Sequence, residues 1–476
     1  MILRRTKIVA TLGPASSDAR TLGRMIEAGL DVVRMNFSHG TADEHRKRVE
    51  LVRSLAQRAG RAVGVLVDLQ GPKIRIGKFE EGRIILEGGK QFVLDAERAL
   101  GDERGVGLDY KNLPNDVRAG DTLLLDDGRI VLGVENVQGS RIETVVEQGG
   151  VLSNNKGINR RGGGLTAPAL TEKDMRDIVT AAELKADFLG VSFPRSGEDI
   201  RWARDLMEKA GGSSLIIAKI ERAEAIDALD EILEASDAIM VARGDLAVEV
   251  GDAVVPALQK RMIRLARQKN RAVITATQMM ESMITSPIPT RAEVSDVANA
   301  VLDGTDAVML SAETATGQYP VETITAMARV CIEAEKEAIN PIERRRERGP
   351  ADVEEAIARA TIFTANSLNI KAVAAMTQSG KTVLLMSRLP NPVPIYAMSA
   401  VPETRRKVTL FRGVYPVKFK GVRDPEKSLE MAEDELLQRG AVENGDFMVI
   451  TIGEPYGIAG GTNTMKIVKV GEHRHA

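Results

Sequence analysis

The stretch LVDLQGPKIRIG, residues 66–77, begins as a buried strand and then leaves that pattern abruptly. Its first residues are apolar, and the carboxylate of Asp68 follows them. The Gly71-Pro72 pair prevents a helix here, because proline lacks a backbone N–H and glycine favours turns. Lys73 and Arg75 then bring two cations close to the carboxylate. An ordinary solvated loop has the same features. Other parts of the sequence are therefore needed to distinguish a surface loop from part of a functional site.

The composition is that of a soluble globular protein. Of the 476 residues, 43% are apolar and 28% are charged. The length predicts about two to four domains, at about 100 to 200 residues each. The net charge of -2 offers no basic face for nucleic acid and no polybasic segment for anionic lipid, so we expect neither a nucleic acid nor a membrane as a partner.

Targeting signals and cysteine usage predict a cytoplasmic protein. The stretch MILRRTKIVATLGP lacks the apolar core of a signal peptide. No apolar run approaches the ~20 residues that span a bilayer. The single cysteine, Cys331, excludes an intramolecular disulfide and lies in an amphipathic helical stretch, where we expect a buried thiol that packs as an apolar group.

Eight short apolar runs recur along the chain, each rich in Val, Ile, Leu or Ala and each closed by a polar residue or glycine. Near-continuous apolar strands of this kind are typical of a parallel sheet that is covered on its outer face. Amphipathic helical stretches separate most of them. We therefore predict an α/β fold, a (β/α)8 barrel with its active site at the carboxyl ends of the strands. The runs begin at Lys7, Asp31, Ala62, Asp187, Leu215, Asp237, Arg271 and Asp306.

Four of the strands follow an aspartate at the end of a helix, in EAGLDVV, ELKADFL, EASDAIM and LDGTDAV. The repetition indicates one type of αβ turn used four times. We expect these aspartates to be structural and to carry no chemistry.

The long gap between the third and fourth runs has a different composition from the barrel. Short alternating runs such as RIETVVEQ are divided by Gly, Asp and Asn, which is typical of antiparallel strands with tight turns. We predict a small β-barrel domain inserted into a barrel loop as a lid.

Beyond RRRERG, a solvated connector, strands and helices alternate again, and we interpret TVLLMSR there as a strand. The predicted domains are the barrel at 1–69 and 170–344, the lid at 70–169 and a C-terminal α/β domain at 345–476.

The residues that close the barrel strands should converge on one cavity. Lys219 and Glu221 point the same way, because side chains alternate along a strand. Carboxylates such as Glu221 and Asp245 suit Mg2+, which prefers oxygen ligands. A central lysine with a flanking arginine suits phosphoryl transfer, where catalysis is mostly positioning and charge stabilisation. The residues that close the strands are Arg34, Asn36, Ser38, Asp68, Lys219, Glu221, Arg243, Gly244, Asp245, Thr277, Ser311 and Glu313.

Taken singly, these residues are weak signals. An aspartate after a strand caps a helix more often than it binds a ligand, and a lysine there is usually solvated. No His-Cys cluster and no Ser-His-Asp order is present, which weighs against zinc or acyl chemistry. The tetrapeptide SGKT, residues 379–382, ends like a P-loop, but Ala375 stands where its first glycine is required. A turn of this composition still suits a phosphate through its backbone N–H groups.

Seven motifs, in order and over almost the whole chain, resemble the pyruvate kinase family. They are RMNFSHG, DLQGPKIR, NNKGIN, AKIE, MVARGDL, TATQMMESM and PTRAEVSDVANAVLDGTDAVMLSAET. The resemblance implies the barrel, the inserted lid and a C-terminal effector domain. It also implies transfer of the phosphoryl group of phosphoenolpyruvate to ADP, giving pyruvate and ATP in the last step of glycolysis, and a homotetramer.

The resemblance assigns roles to the residues that match these motifs. Glu221 and Asp245 would bind Mg2+, for which Mn2+ can substitute. Lys219, with Arg34 and Thr277, would be catalytic, the lysine stabilising the phosphoryl group in flight. The substrate-binding residues would be Arg34, Gly244, Asp245, Thr277, Ser311 and Glu313. The nucleotide-binding residues would be Arg75, Lys156, His39 and Asn36.

The opening stretch departs from the family where a bound K+ is expected. Most members have Glu at position 73, and hold K+ with Asn, Ser, Asp and Thr. Asn36, Ser38 and Asp68 remain here, but Leu69 follows the aspartate and Lys73 replaces the Glu. A unit charge at about 4 Å is worth about 4 kcal/mol at an effective dielectric near 20, so K+ and this lysine disfavour each other. We expect the lysine ammonium to take the place of K+, which would not be required.

Two further features concern tolerance and regulation. Ala247 stands where the family usually has Gly, and we expect the change to be tolerated. The loop TQSGKT resembles the family's effector-phosphate loop, and GGTNT at 460–464 looks like the turn that faces it. A phosphorylated effector, either a sugar monophosphate or a nucleotide, is expected there, with an ordinary helix cap as the alternative. The effector residues would be Thr377, Gln378, Ser379, Gly380, Lys381 and Thr382.

Two competing functions stay open at this point. One is another Mg2+-dependent barrel enzyme that acts on phosphoenolpyruvate or pyruvate by C–C chemistry, which would not need a nucleotide lid. The other is a metabolite-sensing relative that binds without turnover, against which Lys219, Glu221 and Asp245 argue because all three are present.

Overall fold

The fold is built on a closed barrel of eight parallel strands. A computed structural model describes residues 3–337, 349–422, 424–455 and 460–472. Each of the eight apolar runs forms one barrel strand next to its neighbour in sequence, and the eighth closes on the first, so the predicted barrel is confirmed. In chain order the strands are Lys7–Thr11, Val32–Asn36, Gly64–Asp68, Phe188–Val191, Leu215–Ile220, Ala238–Ala242, Ala272–Ala276 and Ala307–Leu310.

Helices cover the barrel, and polar residues cap several of them. Thr171 and Thr290 each form a capping box with the acidic residue three positions on.

Cys331 is buried, and burial raises the pKa of its thiol to about 12, so it packs as an apolar group, as predicted. The α-helices are Ala19–Glu27, Ala42–Arg58, Glu172–Glu183, Gly197–Lys209, Ala223–Asp227, Leu229–Ala235, Arg243–Val250, Val255–Gln268, Arg291–Asp303, Ala312–Ala315 and Pro320–Glu337, and the 3-10 helices are Pro14–Ser16, Asp252–Val254 and Glu281–Ile284.

The insertion after the third barrel strand is a β structure around its own apolar core. It contains a six-stranded sheet and two two-stranded sheets. Most pairs are antiparallel as predicted, but Gln91–Asp95 runs parallel to Gly105–Gly107, and Lys78–Phe79 runs parallel to Leu100–Gly101. The strands are Lys78–Phe79, Arg83–Leu86, Gln91–Asp95, Leu100–Gly101, Gly105–Gly107, Thr122–Leu125, Ile130–Gln138, Arg141–Gln148, Gly150–Ser153 and Ile158–Arg160, with one short helix, Leu113–Asp116.

The C-terminal domain is a five-stranded sheet flanked by helices. Its first four strands are parallel, and the last is antiparallel at one edge. In spatial order the strands are Val414–Lys418, Ile395–Ser399, Ile370–Met376, Phe447–Gly453 and Thr462–Lys469. The α-helices are Val353–Ser367, Lys381–Ser387, Pro402–Lys407 and Pro425–Gln438, with a 3-10 helix at Val408–Leu410.

One element of this domain was predicted wrongly. TVLLMSR belongs to the helix Lys381–Ser387 and is not a strand. A short apolar run does not distinguish a buried strand from a buried helix, and here the left-handed Gly380, with φ of 86°, begins the helix. Most of the RRRERG connector lies outside the described residues. No helix in the described ranges is long and apolar enough to cross a membrane.

The four repeated aspartates tie the barrel strands together in pairs. Each accepts the backbone N–H of the strand before its own, at 2.8 to 2.9 Å. Each also pairs with an arginine, and two of these arginines, Arg388 and Arg406, come from the C-terminal domain. The aspartates are Asp31, Asp187, Asp237 and Asp306. They are structural, as expected, and two of them attach the C-terminal domain to the barrel.

We expect Asp306→Asn to lower the free energy of unfolding by about 3–5 kcal/mol, because it leaves Arg388 buried without its partner. Burial alone would raise the pKa of Asp306, but Arg388 holds it below its ordinary value. A carboxylate with a depressed pKa stabilises the fold above its unfolded pKa. The difference from wild type in urea denaturation should therefore be constant near neutral pH and shrink below about pH 4.

The matched control is Glu234→Gln, which breaks the exposed pair between Glu234 and Lys269. That change should cost less than about 1 kcal/mol. Equal losses in the two variants, or a loss at Asp306 that grows in acid, would contradict the expectation.

Candidate active site

The Lys219 ammonium is the centre of the site. It lies 3.1 Å from Asp68 Oδ1 and 2.9 Å from Glu221 Oε1, and it donates a 2.7 Å hydrogen bond to Ser192 Oγ. Its side chain is 10% exposed, and both carboxylates are buried. The third, fourth and fifth barrel strands thus bring one cation and two carboxylates together, at the carboxyl ends that the sequence predicted.

The charges of this cluster are set by burial and by mutual attraction. Burial alone would lower the pKa of Lys219, but Asp68 and Glu221 raise it to about 12, so the amine stays an ammonium. Burial would raise the pKa of Asp68, but Lys219 and Arg34 hold it below its ordinary value. Glu221 is different, because burial raises its pKa to about 7 even against the attraction of Lys219.

Arg34 occupies the other side of Asp68. Its Nε donates to Asp68 Oδ2 over 2.6 Å, and its Nη1 donates to Thr11 Oγ1 over 3.0 Å. Asn36 Oδ1 accepts the backbone N–H of Ser38 over 3.1 Å. The three predicted remnants of a K+ site therefore follow adjacent strands, but Asp68, the carboxylate among them, already has a cation at each oxygen.

Lys73 forms an ion pair with Asp245. Its Nζ lies 3.5 Å from Asp245 Oδ1, and its side chain is 30% exposed. The expectation that this ammonium takes the place of K+ stays a prediction. The two oxygens of Asp68 face Arg34 and Lys219, so its charge is already balanced.

Glu221 and Asp245 are the carboxylates available to a metal ion. Asp245 lies in the first turn of Arg243–Val250, and its charge contributes to the raised pKa of Glu221. Over the described ranges, no group of three or more His, Cys, Asp or Glu side chains is arranged to hold a metal. Two carboxylates without soft ligands suit Mg2+, which keeps water or substrate oxygens in its other positions. The residues present therefore fit the predicted ion.

Thr277 and Gly244 join the sixth and seventh strands at the same rim. The Gly244 N–H donates to Thr277 Oγ1 over 2.8 Å, and that hydroxyl donates to the Ala276 carbonyl over 2.6 Å. Ala247 lies inside the helix Arg243–Val250 and is absent from the residues with positive φ in the described chain, so it is unstrained there. The residues predicted for the substrate carboxylate are thus brought together.

Ser311 and Glu313 lie directly after the eighth barrel strand. The buried Glu313 accepts the backbone N–H of Ser311 at Oε2 over 2.7 Å and that of Met280 at Oε1 over 3.3 Å. Both oxygens therefore bind the protein's own backbone. Glu313 thus braces the loops after the seventh and eighth strands, and its substrate-binding role stays a prediction.

The predicted nucleotide residues lie in two groups. Arg75 pairs with Gly157 in an isolated antiparallel bridge, which places it beside Lys156 at the base of the insertion. Lys156 forms a 2.6 Å ion pair with Asp126 Oδ1. His39 is exposed on the barrel side. The insertion thus contributes two cations, of which one already has a carboxylate partner.

The predicted effector loop lines a cavity in the C-terminal domain. Lys381 Nζ lies 3.0 Å from Asp352 Oδ2 and 3.0 Å from Glu354 Oε2. Thr382 Oγ1 donates to Glu354 Oε1 over 2.6 Å. The predicted loop residues in the cavity wall are Thr377, Gln378, Ser379 and Thr382, opposite Gly460 and Thr462 of the GGTNT turn. The loop and the turn therefore face each other, and the lysine is neutralised by two carboxylates.

Sequence reasoning missed the supports of the central residues. Ser192 Oγ accepts from Lys219 and donates to the Leu69 carbonyl over 2.7 Å. The Phe193 N–H donates to Glu221 Oε2 over 2.9 Å. Both residues close the fourth run, DFLGVSF, so the rule of strand ends would have found Ser192 had it been applied there. A backbone donor such as that of Phe193 leaves no signal in the sequence.

A parallel barrel with a buried lysine, an arginine and carboxylates at the carboxyl ends of its strands defines a barrel enzyme for an anionic substrate. Comparison with known proteins specifies the class. Residues 3–324 match the sequence family "Pyruvate kinase, barrel domain", and residues 355–468 match "Pyruvate kinase, alpha/beta domain".

Whole-chain relatives agree with these matches. The chain is 54% identical to pyruvate kinase II of Salmonella typhimurium, over 98% of this chain and 99% of the relative. It is 53% identical to pyruvate kinase of Haemophilus influenzae, over 95% and 96%. The crystal structure of a pyruvate kinase from Cryptosporidium parvum superposes with a TM-score of 0.93 at 34% identity, over 98% of this chain and 96% of that one. The chain belongs to the pyruvate kinase family, and it is an enzyme, a phosphotransferase, as the motifs predicted.

Proposed function

We propose that this chain transfers the phosphoryl group of phosphoenolpyruvate to ADP, giving pyruvate and ATP, under allosteric control. The observation that carries the proposal is the Lys219 ammonium fixed between Asp68, Glu221 and Ser192. A phosphoryl group in transfer spreads negative charge over its equatorial oxygens. A cation that is already oriented stabilises this charge without reorganisation.

Two groups of the substrate, its carboxylate and its phosphoryl group, are bound by different residues around this lysine. The backbone of Gly244 and Asp245, with the Thr277 hydroxyl, holds the carboxylate of phosphoenolpyruvate. The assignment is supported because Gly244 and Asp245 lie in the first turn of a helix, where backbone N–H groups favour anions, and because Thr277 Oγ1 lies 2.8 Å from the Gly244 nitrogen. Arg34 binds the phosphoryl group, since it shares the carboxylate of Asp68 with Lys219.

Glu221 and Asp245 hold Mg2+, or Mn2+ in its place. An ion held there would supply Lewis-acid stabilisation to the substrate. The pair is suited to a cation because burial and the charge of Asp245 raise the pKa of Glu221, a cost that an intervening positive charge relieves. Ser192 and the Phe193 N–H keep Lys219 and Glu221 oriented meanwhile.

We expect Lys219→Met to lower kcat for pyruvate formation by about 10²–10³-fold or more, with a smaller change in the KM for phosphoenolpyruvate, because its charge acts mainly in the transition state. A coupled assay of pyruvate formation measures both constants. Lys269→Met, which removes a lysine from a surface cluster with Glu234, should keep wild-type kinetics.

A measurement of Mn2+ binding distinguishes the catalytic role of the lysine from the role of the metal ligands. In electron paramagnetic resonance titrations without substrate, Lys219→Met should still bind Mn2+, whereas Glu221→Gln should bind it at least tenfold more weakly. A kcat of Lys219→Met within threefold of wild type would reject the catalytic assignment. Unchanged Mn2+ affinity in Glu221→Gln would reject the metal assignment.

ADP binds between barrel and insertion, with Arg75 and Lys156 on one side and His39 and Asn36 on the other. Arg75 and Lys156 are adjacent at the base of the insertion, and Lys156 exchanges Asp126 for a phosphate oxygen. Closure of the insertion as a lid excludes water, which would otherwise hydrolyse the transferring group.

The enzyme works without K+. Among the remnants Asn36, Ser38 and Asp68, the carboxylate is already neutralised by Arg34 and Lys219, so little negative charge is left for a further cation. Lys73 adds a positive charge 3.5 Å from Asp245, where the family's Glu would add a negative one. Both features disfavour a monovalent ion at this site.

We expect activity in buffer free of Na+ and K+ to rise less than twofold when K+ is added. Lys73→Glu should make the enzyme dependent on K+, with stimulation of at least tenfold, because it reverses the local charge. Lys78→Glu, an equal charge reversal on an exposed residue of the insertion, should create no such dependence. A tenfold or greater stimulation of the wild-type enzyme by K+ would contradict the proposal.

A phosphorylated effector, either a sugar monophosphate or a nucleotide, binds the loop Thr377–Thr382. The support is the cavity that this loop forms with Gly460 and Thr462. We expect Lys381→Ala to abolish activation by a panel of such compounds at unchanged basal activity. Lys371→Ala, an exposed lysine on the adjacent strand, should retain it. Full activation of Lys381→Ala would reject the site.

The assembled enzyme is a homotetramer in the cytoplasm. Light scattering of the purified protein tests the oligomeric state, and cell fractionation tests the location. C–C chemistry on the same substrates is disfavoured because Arg75 and Lys156 lie together on an insertion that such a reaction does not need. A relative that only binds is excluded if ATP forms from ADP and phosphoenolpyruvate.

A further inference from the structure

Two consecutive residues after the seventh barrel strand have a left-handed backbone. Thr277 has φ of 68° and Gln278 has φ of 54°. This region is uncommon for residues other than glycine, and most of all for a β-branched residue such as Thr277. Such conformations persist only where the surrounding structure enforces them. The segment therefore has to be held by its neighbours.

One buried guanidinium contacts this whole segment. Arg243 Nη2 donates to the carbonyl of Thr277 over 2.7 Å and to that of Gln278 over 3.3 Å. Its Nε reaches the Ala276 carbonyl at 3.4 Å. Because the guanidinium is planar with fixed donor directions, it fixes three successive carbonyls relative to one another.

The guanidinium is in turn fixed from its other side. Asp296, in the helix Arg291–Asp303, accepts Nη1 at Oδ1 and Nη2 at Oδ2, each over 2.7 Å. This bidentate pair sets both the position and the plane of the arginine. Asp296 thus acts on Thr277 through Arg243.

We propose that Arg243 and Asp296 are positioning residues that hold Thr277 and Gln278 in the left-handed conformation. Neither touches the substrate. Their effect is to keep the Thr277 hydroxyl on the Gly244 N–H, at 2.8 Å, and thereby to shape the site for the substrate carboxylate. The inference rests on the proposed role of Thr277. Without the guanidinium the segment relaxes, and the hydroxyl leaves that position.

The first test is Arg243→Lys, since a lysine cannot bond the carboxylate in bidentate fashion and the three carbonyls together. We expect kcat/KM for phosphoenolpyruvate to fall at least tenfold, mostly through a higher KM, while the KM for ADP stays within twofold. Asp296→Asn should change the same constant in the same direction.

Arg204→Lys is the matched control. Arg204 also bonds a carboxylate, that of Asp237, and a backbone carbonyl, that of Ala235, but at the opposite end of the barrel. This control should leave kcat/KM within twofold of wild type. Losses at Arg204 equal to those at Arg243 would overturn the proposal.

A glycine at position 278 separates positioning from general damage. Glycine adopts positive φ without a steric cost. In a Gln278→Gly variant, the left-handed backbone at position 278 therefore depends less on the Arg243 guanidinium. Arg243→Lys should cost threefold or less there, against at least tenfold in the wild-type background. Equal losses in both backgrounds would overturn the proposal. Thr277→Ala with wild-type kinetics would reject the role of Thr277 itself, whereas an impaired Thr277→Ala beside an intact Arg243→Lys would reject the positioning residues alone.

Discussion

The Lys219 ammonium lies out of water between the carboxylates of Asp68 and Glu221, and the rest of the site is arranged around that contact. A buried lysine without such partners would lose its proton and with it its positive charge. Asp68 also holds Arg34, so the two cations of the site share one carboxylate. The barrel satisfies this requirement by ending three adjacent strands on complementary groups.

The two ends of the barrel use the same residue types for different purposes. At the amino ends of the strands, aspartates accept backbone N–H groups and pair with arginines, and thereby tie strands and domains together. At the carboxyl ends, Asp68 and Asp245 face cations in the site. A barrel keeps stability and chemistry on opposite faces, so position along the strand separates the two uses of aspartate.

The parts of the structure that depend on periodicity were predictable from the sequence. The eight apolar runs gave eight strands, and the two-residue spacing of Lys219 and Glu221 placed both at one rim. The ion pair of Lys73 with Asp245 was not predictable, because it joins residues that are distant in the sequence. The contacts of Arg243 with Asp296 join distant parts of the chain, and the helix Lys381–Ser387 was hidden because a short apolar run fits strand and helix equally.

Single-turnover phosphoryl transfer by Asp68→Asn tests the central contact most directly, with Asp237→Asn at the other end of the barrel as the reference. Without the Asp68 carboxylate, Lys219 and Arg34 lose the group that orients their charges. Losing one oriented charge-stabilising contact costs about 10²–10³-fold in rate, so the account predicts a rate at least ~100-fold below wild type for Asp68→Asn and little change for the reference variant. A rate for Asp68→Asn within threefold of wild type would contradict it.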